Sequence, residues 1–212
     1  MADVFAKNVA TSAADAEKIV PRAEFRVFGK DVIELVKKNM WNGKTVLFQA
    51  RKMPAETYFL SANTNEANVK VRDGLLDIKT KVGETPEGYE IFQPRGKFQF
   101  PVSKADLAVI LSHLKVDIEL SEETYTIERF IEIARQTPQL VPVTVEKMRY
   151  GFTINGIICE YAQVWFNGAM VESACCESEN YAGMQAVVAG LGIAEMPNTN
   201  YLRAAKRVVG LL

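Results

Sequence analysis

Apolar and polar positions alternate in two separate stretches of this chain, and each stretch is followed by helical recurrence of apolar positions. Arg22 to Phe28 alternates and predicts a strand that Gly29 ends. Val32, Ile33, Leu35 and Val36 then recur at helical spacing, so a short helix is expected over Asp31 to Met40. Glu56 to Leu60 is β-rich. Val69 to Arg72 and Leu75 to Val82 read as a hairpin across Asp73-Gly74, a pair that tolerates the positive backbone angles of a two-residue turn. Tyr89 to Gln93 and Arg95 to Phe100 read as strand segments interrupted by Pro94 and Gly96. Pro101 opens a helix from about Ser103 to Leu114, with Ser103 and Asp106 as a capping pair. A second helix is expected over Glu122 to Arg135. The second strand group is Val143 to Ile154, Ile157 to Phe166 and Ala169 to Glu179, joined by Asn155-Gly156 and Asn167-Gly168. Helices over Tyr181 to Leu191 and Tyr201 to Leu211 complete the pattern. Meandering strands on tight turns, with helices grouped in runs, predict an α+β fold on an antiparallel sheet. The two strand groups have a similar plan, which suggests a sheet assembled from two halves.

Composition narrows the function classes. The 212 residues suit one large domain or two small ones. Residues 1–20 read as a flexible arm and 21–212 as a single domain. The net charge of -1 lacks the basic excess of a general nucleic-acid binder, so any anion site must come from local arrangement of charge. No apolar run approaches the roughly 18 residues that span a bilayer. Met1 to Glu17 has no apolar core of the signal-peptide kind, so a cytoplasmic location is expected. Cys159, Cys175 and Cys176 are odd in number and two are adjacent, which argues for buried thiols over a disulfide framework. The single histidine, His113, excludes sites built on several histidines and fits packing or capping of its helix. Trp41 and Trp165 read as packing residues.

The informative feature is charge of one sign repeated at i and i+2, which places both side chains on one face of a strand. Lys70 and Arg72 form such a pair, as do Lys79 and Lys81, Arg95 and Lys97, and Lys147 and Arg149. Glu177 and Glu179 repeat the pattern with the opposite sign. A solvated outer face would explain charge alone, but such faces usually mix signs because neighbouring like charges repel. A polyanion bridged to a divalent cation would relieve both sets.

In order along the chain, Lys70-Val-Arg72, Leu-Asp-Ile-Lys79, Val-Glu-Lys147-Met-Arg149, Glu177-Ser-Glu179 and Asn198-Thr-Asn200-Tyr201 resemble the CYTH, or triphosphate-tunnel, family over roughly Glu24 to Leu211. The resemblance implies a closed antiparallel barrel of about eight strands with flanking helices and a charged bore. It implies a small phosphorylated ligand (a triphosphate, a nucleotide or polyphosphate), with Mg2+ or Mn2+ as cofactor. Lys70, Arg72, Lys79, Lys81, Arg95, Lys97, Lys147 and Arg149, with Arg26, would then hold phosphate oxygens. Glu24, Glu177 and Glu179 would hold metal, and Glu177, Glu179, Lys147 and Arg149 would serve catalysis. Tyr58, Glu90 and Glu160 are weaker candidates for the bore.

The first-strand signature of that family is Glu-x-Glu-x-Lys, and here it reads Glu24-Phe-Arg26-Val-Phe28. Arg26 stands where a metal-binding carboxylate is expected and reverses the local charge. Three readings stay open from the residues: a metal-dependent triphosphate hydrolase, a binding module for a nucleotide or polyphosphate without turnover, and an interaction protein whose cations pair internally.

Overall fold

The computed structural model describes residues 9–211. The first eight residues of the expected arm lie outside them. Among the described residues ten strands and six helices follow one another: α1 (Ala13–Ala16), β1 (Arg22–Gly29), α2 (Val32–Asn39), β2 (Thr45–Ser61), β3 (Ala67–Arg72), β4 (Leu75–Glu84), β5 (Glu90–Gln99), β6 (Val102–Ser103), α3 (Lys104–Leu114), β7 (Thr124–Tyr125), α4 (Ile127–Gln136), β8 (Leu140–Ile154), β9 (Ile157–Phe166), β10 (Ala169–Ser178), α5 (Tyr181–Gly190) and α6 (Tyr201–Val209). Eight of the strands close into an antiparallel barrel in the order β1-β10-β9-β8-β2-β3-β4-β5. Closure comes from β1, which pairs with β10 along one edge and with β5 along the other. Short β6 and β7 pair with each other outside the barrel.

The three expected hairpins form because their turn residues accept positive φ. Asp73 and Gly74 sit at 51° and 76°, Asn155 and Gly156 at 52° and 79°, Asn167 and Gly168 at 47° and 86°. These are the angles of mirror-image turns, whose twist matches that of the flanking strands. Ser103 caps α3 as expected, accepting the Asp106 amide at 3.1 Å. Asp31 gives α2 no side-chain cap. Glu172 of β10 does so instead, its Oε2 accepting the Ile33 amide at 3.0 Å.

Several boundaries differ from the sequence reading. β2 begins at Thr45, eleven residues before the β-rich segment. Its first part alternates poorly, and pairing with β8 makes it a strand. Pro142 lies within β8, opposite Phe59. β5 is continuous through Pro94 and Gly96, because Arg95 is bulged out between Pro94, which faces Lys79, and Gly96, which faces Ile78. Helix α4 starts at Ile127, where Thr126 accepts the Arg129 amide; the two residues before this cap pair as β7. Trp41 is 64% exposed and does not pack in the core.

Three apolar clusters hold the structure. α2 and α5 cover the outer face of β1, β9 and β10. α3 and α4 cover the outer face of β2, β3 and β4, with Phe59 stacked on Phe130 at 4.2 Å. The third cluster lies inside the barrel. Tyr201, Leu202, Ala204 and Ala205 of α6 pack on inward-facing Tyr58, Leu60, Val143, Val145, Ala162 and Val164, which plugs one end. Residues 9–20 lie along β5. Thr11 bridges Lys97, and Gln93 Nε2 donates to the carbonyls of Ala16 and Ile19. Cys159 and Cys176 oppose one another on the outer face with sulfurs 3.8 Å apart, while Cys175 faces inward; all three thiols are free and buried.

Candidate functional site

Strand alternation turns Glu24 and Arg26, Glu56 and Tyr58, Lys70 and Arg72, Lys147 and Arg149, Glu160 and Glu177 toward the barrel axis. With Arg22, Asn68, Lys79 and Tyr201 they line a cavity of about 340 Å3, except Glu56, which sits just behind the lining. Ile19, Val20, Phe92, Pro94 and Leu202 supply an apolar part of the wall. Ile19 and Val20 are 47% and 57% exposed, so they belong to its rim.

One cluster centres on Glu56, which is 2% exposed. A register shift between Met53 and Glu56 in β2 aims this carboxylate inward. It receives Lys147 Nζ at 2.6 Å, Lys70 Nζ at 3.6 Å and Arg72 Nε at 3.8 Å. Burial alone would raise its pKa, but Lys70, Lys147 and Arg72 hold the carboxyl well below the usual range. Tyr58 hydroxyl accepts from Lys147 at 3.0 Å and Lys70 at 3.4 Å. Lys70 is lowered to about 7 by burial, with Glu56 opposing and Lys147 and Arg72 repelling. Arg72 also pairs with buried Asp77 at 2.9 Å.

The second cluster centres on Arg26, 4% exposed. Its Nε donates to Glu24 Oε1 at 2.6 Å, and its Nη1 lies 3.6 Å from Glu160 Oε1. Nη1 donates to Ser173 Oγ at 3.2 Å and Nη2 to Cys175 Sγ at 3.0 Å, while the guanidinium lies 4.4 Å from the Tyr201 ring centre. Arg149 pairs with Glu160 from the other side. Burial opposes the charge on Arg149, but Glu160 outweighs it and raises its pKa. Farther along, Arg22 meets Glu177 at 3.1 Å and Glu179 at 3.4 Å.

The structure thus brings together Arg26, Lys70, Arg72, Lys79, Lys147 and Arg149 with Glu24 and Glu177. Among the described residues, Lys79 is the one of these cations with no carboxylate in ion-pair distance. Four candidates lie elsewhere. Lys81 is engaged by Glu84 and by Glu90 at 3.2 Å. Arg95 is turned outward by its bulge, to Thr80 Oγ1 at 2.7 Å and Glu17 at 3.2 Å, so it does not share a face with Lys97. Lys97 does not line the cavity, although burial lowers its pKa and Asp77, Arg72 and Lys79 act on it. Glu179 falls just past β10, with its side chain 51% exposed. Sequence reasoning missed Glu56 as a bore residue. The available signal was its i, i+2 relation to Tyr58, hidden by the irregular register before it.

The residues expected to hold Mg2+ or Mn2+ do not fit a divalent ion as they stand. Glu24 and Glu177 face each other across β1 and β10, but Arg26 engages the first and Arg22 the second. Glu179 also meets Arg22. Among the described residues no three histidine, cysteine or carboxylate groups converge as a cation cage.

The closed eight-stranded barrel with a charged bore is the fold that the CYTH resemblance implies. No family model matches the chain, and no curated protein matches it. Solved structures similar to it include a candidate adenylyl cyclase from Hippeastrum, described as revealing a dominant triphosphatase activity, at 12% identity and TM-score 0.49, covering 92% of this chain and 97% of that one. A conserved hypothetical protein from Pyrococcus furiosus shows 15% identity and TM-score 0.47, over 85% and 98%. A candidate adenylate cyclase from Bacillus halodurans shows 13% identity and TM-score 0.43, over 88% and 98%. These likenesses are too distant to bear on activity.

Proposed function

We propose that the barrel binds a small phosphorylated anion of the triphosphate type in its bore, as a divergent CYTH-like protein, and binds it without hydrolysis. The observation that supports this is the convergence of cations from four strands, β1, β3, β4 and β8, on one cavity. Among the described residues seven cationic side chains line it against three carboxylates. Counting buried Glu56 and Asp77 behind them still leaves positive charge in excess. Ammonium and guanidinium groups fixed on rigid strands suit phosphate oxygens, and an entering anion offsets the positive charge that the inward carboxylates leave uncompensated. The cavity volume suits a few phosphate units or a nucleotide. Binding over hydrolysis is favoured because both inward carboxylates of the expected metal site, Glu24 and Glu177, already face an arginine. The free thiols fit the reducing, cytoplasmic compartment expected from the sequence. Among the described residues no helix is long and apolar enough to cross a membrane.

Thermal shift of the full chain with inorganic tripolyphosphate and nucleoside triphosphates is the direct test, since a ligand of the folded state raises the melting temperature. Stabilisation by these anions but not by sulfate is expected, with no phosphate release in Mg2+ or Mn2+. Absence of any shift would refute anion binding, and turnover would refute the non-hydrolytic reading. Lys79→Met is expected to weaken tripolyphosphate binding about tenfold, or roughly 1.4 kcal/mol. Its stability should change little, because no ion pair is broken; an unchanged affinity would remove Lys79 from the site.

Binding should also depend on pH through Lys70. A polyanion beside it favours the charged amine. Below pH 7 that proton is already present, and above pH 7 it must be taken up from solvent. One linked proton makes binding about tenfold tighter at pH 6 than at pH 8. Calorimetry in two buffers of different ionisation enthalpy measures the uptake. The Lys70→Met variant should retain only the ligand's own titration, and an unaltered slope there would assign the proton elsewhere.

A further inference from the structure

The geometry points to Arg26 as a built-in cation that takes the place of a dissociable metal ion, so that the bore binds its anion without any divalent cation. This rests on the anion-binding reading above. Arg26 bridges inward carboxylates from two strands, Glu24 of β1 and Glu160 of β9. Glu24 has no other ion-pair partner among the described residues. Glu160 Oε1 is buried and accepts no hydrogen bond, so this oxygen is the one a bound cation would coordinate. The Arg26 guanidinium lies 3.6 Å from it, while Arg149 pairs with the other oxygen, Oε2.

The guanidinium is held by five side chains and keeps one edge on the cavity. Ser173 and Cys175 accept from it and Tyr201 lies against its face. The backbone of Arg26 is pinned as well: its amide donates to Asn198 Oδ1 at 3.0 Å and its carbonyl accepts from the Thr199 amide at 2.7 Å. A flexible surface arginine could swing aside for an incoming metal ion. This one would leave five partners and carry its charge out through a packed bore. A divalent ion between Glu24 and Glu160 would sit against a fixed positive charge in a site poorly screened by water. Guanidinium stays charged at any pH at which the protein is folded and presents several N–H donors, so it can neutralise the carboxylates and still face a phosphate oxygen.

The test uses the full chain in three measurements. Mn2+ alone is titrated and followed by electron paramagnetic resonance, and the wild-type protein should show no saturable site up to about millimolar metal. Tripolyphosphate is titrated calorimetrically in EDTA, where binding should persist. The Arg26→Glu variant should acquire a saturable Mn2+ site and lose about tenfold or more in tripolyphosphate affinity in EDTA, recovered by Mn2+. Arg26→Lys keeps a positive charge and should acquire no such site. Saturable Mn2+ uptake by the wild type, or tripolyphosphate binding only with metal, would overturn the inference while leaving anion binding intact. No tripolyphosphate binding with or without metal would instead overturn the functional reading beneath it. Should Arg26→Glu fail to fold, the two wild-type titrations decide the matter.

Discussion

Replacing Glu56 with glutamine is expected to lower the unfolding free energy by about 3–5 kcal/mol, the cost of leaving buried charges without their counter-ion. Glutamine keeps the shape of the side chain and removes only its charge. Lys147, Lys70 and Arg72 then face each other around a neutral amide in a region where Glu56 is 2% exposed. Urea denaturation of the variant and the wild type measures the loss. The loss should be largest near pH 6 and smaller near pH 9. Lys70 already titrates near 7, and without Glu56 it sheds its proton still more readily as the pH rises. Tripolyphosphate should restore stability to the variant more than it adds to the wild type, because phosphate oxygens can replace the missing carboxylate. A variant as stable as the wild type at pH 6 would mean that the cluster is solvated and that Glu56 is not its counter-ion.

Phe130→Ala is expected to cost a similar amount, about 3–5 kcal/mol, for a different reason. The Phe130 ring is fully buried between α4 and the outer face of the barrel and stacks on Phe59. Truncation removes apolar contact and leaves a cavity that rigid strands cannot close. Ligand affinity should not follow. Phe59 points outward from β2 while its neighbour Tyr58 points into the bore, so the damage lies on the face opposite the site. Denaturation and calorimetry on the same preparation separate the two effects. A parallel loss of tripolyphosphate affinity would show that the outer core positions the bore.

The contrast between these variants explains what could be read from the chain. Lys70 and Arg72, and Lys147 and Arg149, were legible as inward pairs because β3 and β8 run without a register shift through them. Arg95 and Lys97 were not, because a bulge in β5 turns Arg95 outward, and a bulge leaves no trace in periodicity that Pro94 and Gly96 did not already blur. Glu56 was missed for the converse reason: the irregular register before it rotates a carboxylate inward. The first half of β2 was missed because its strand character comes from pairing with β8, not from its own alternation.

By itself the sequence determined the hairpins, the helices and the existence of same-sign charge pairs, since turn chemistry and side-chain period are local properties of a few adjacent residues. The partners of those charges were decided only by the tertiary structure. Closure of the barrel sets β1 against β10 and β5, brings Arg26 between Glu24 and Glu160, and gathers Lys70, Arg72 and Lys147 around Glu56. Apart from Glu24 and Arg26, two residues apart on β1, such pairings join residues far apart in the chain. Coulomb attraction across a poorly hydrated bore depends on distances that local sequence does not encode.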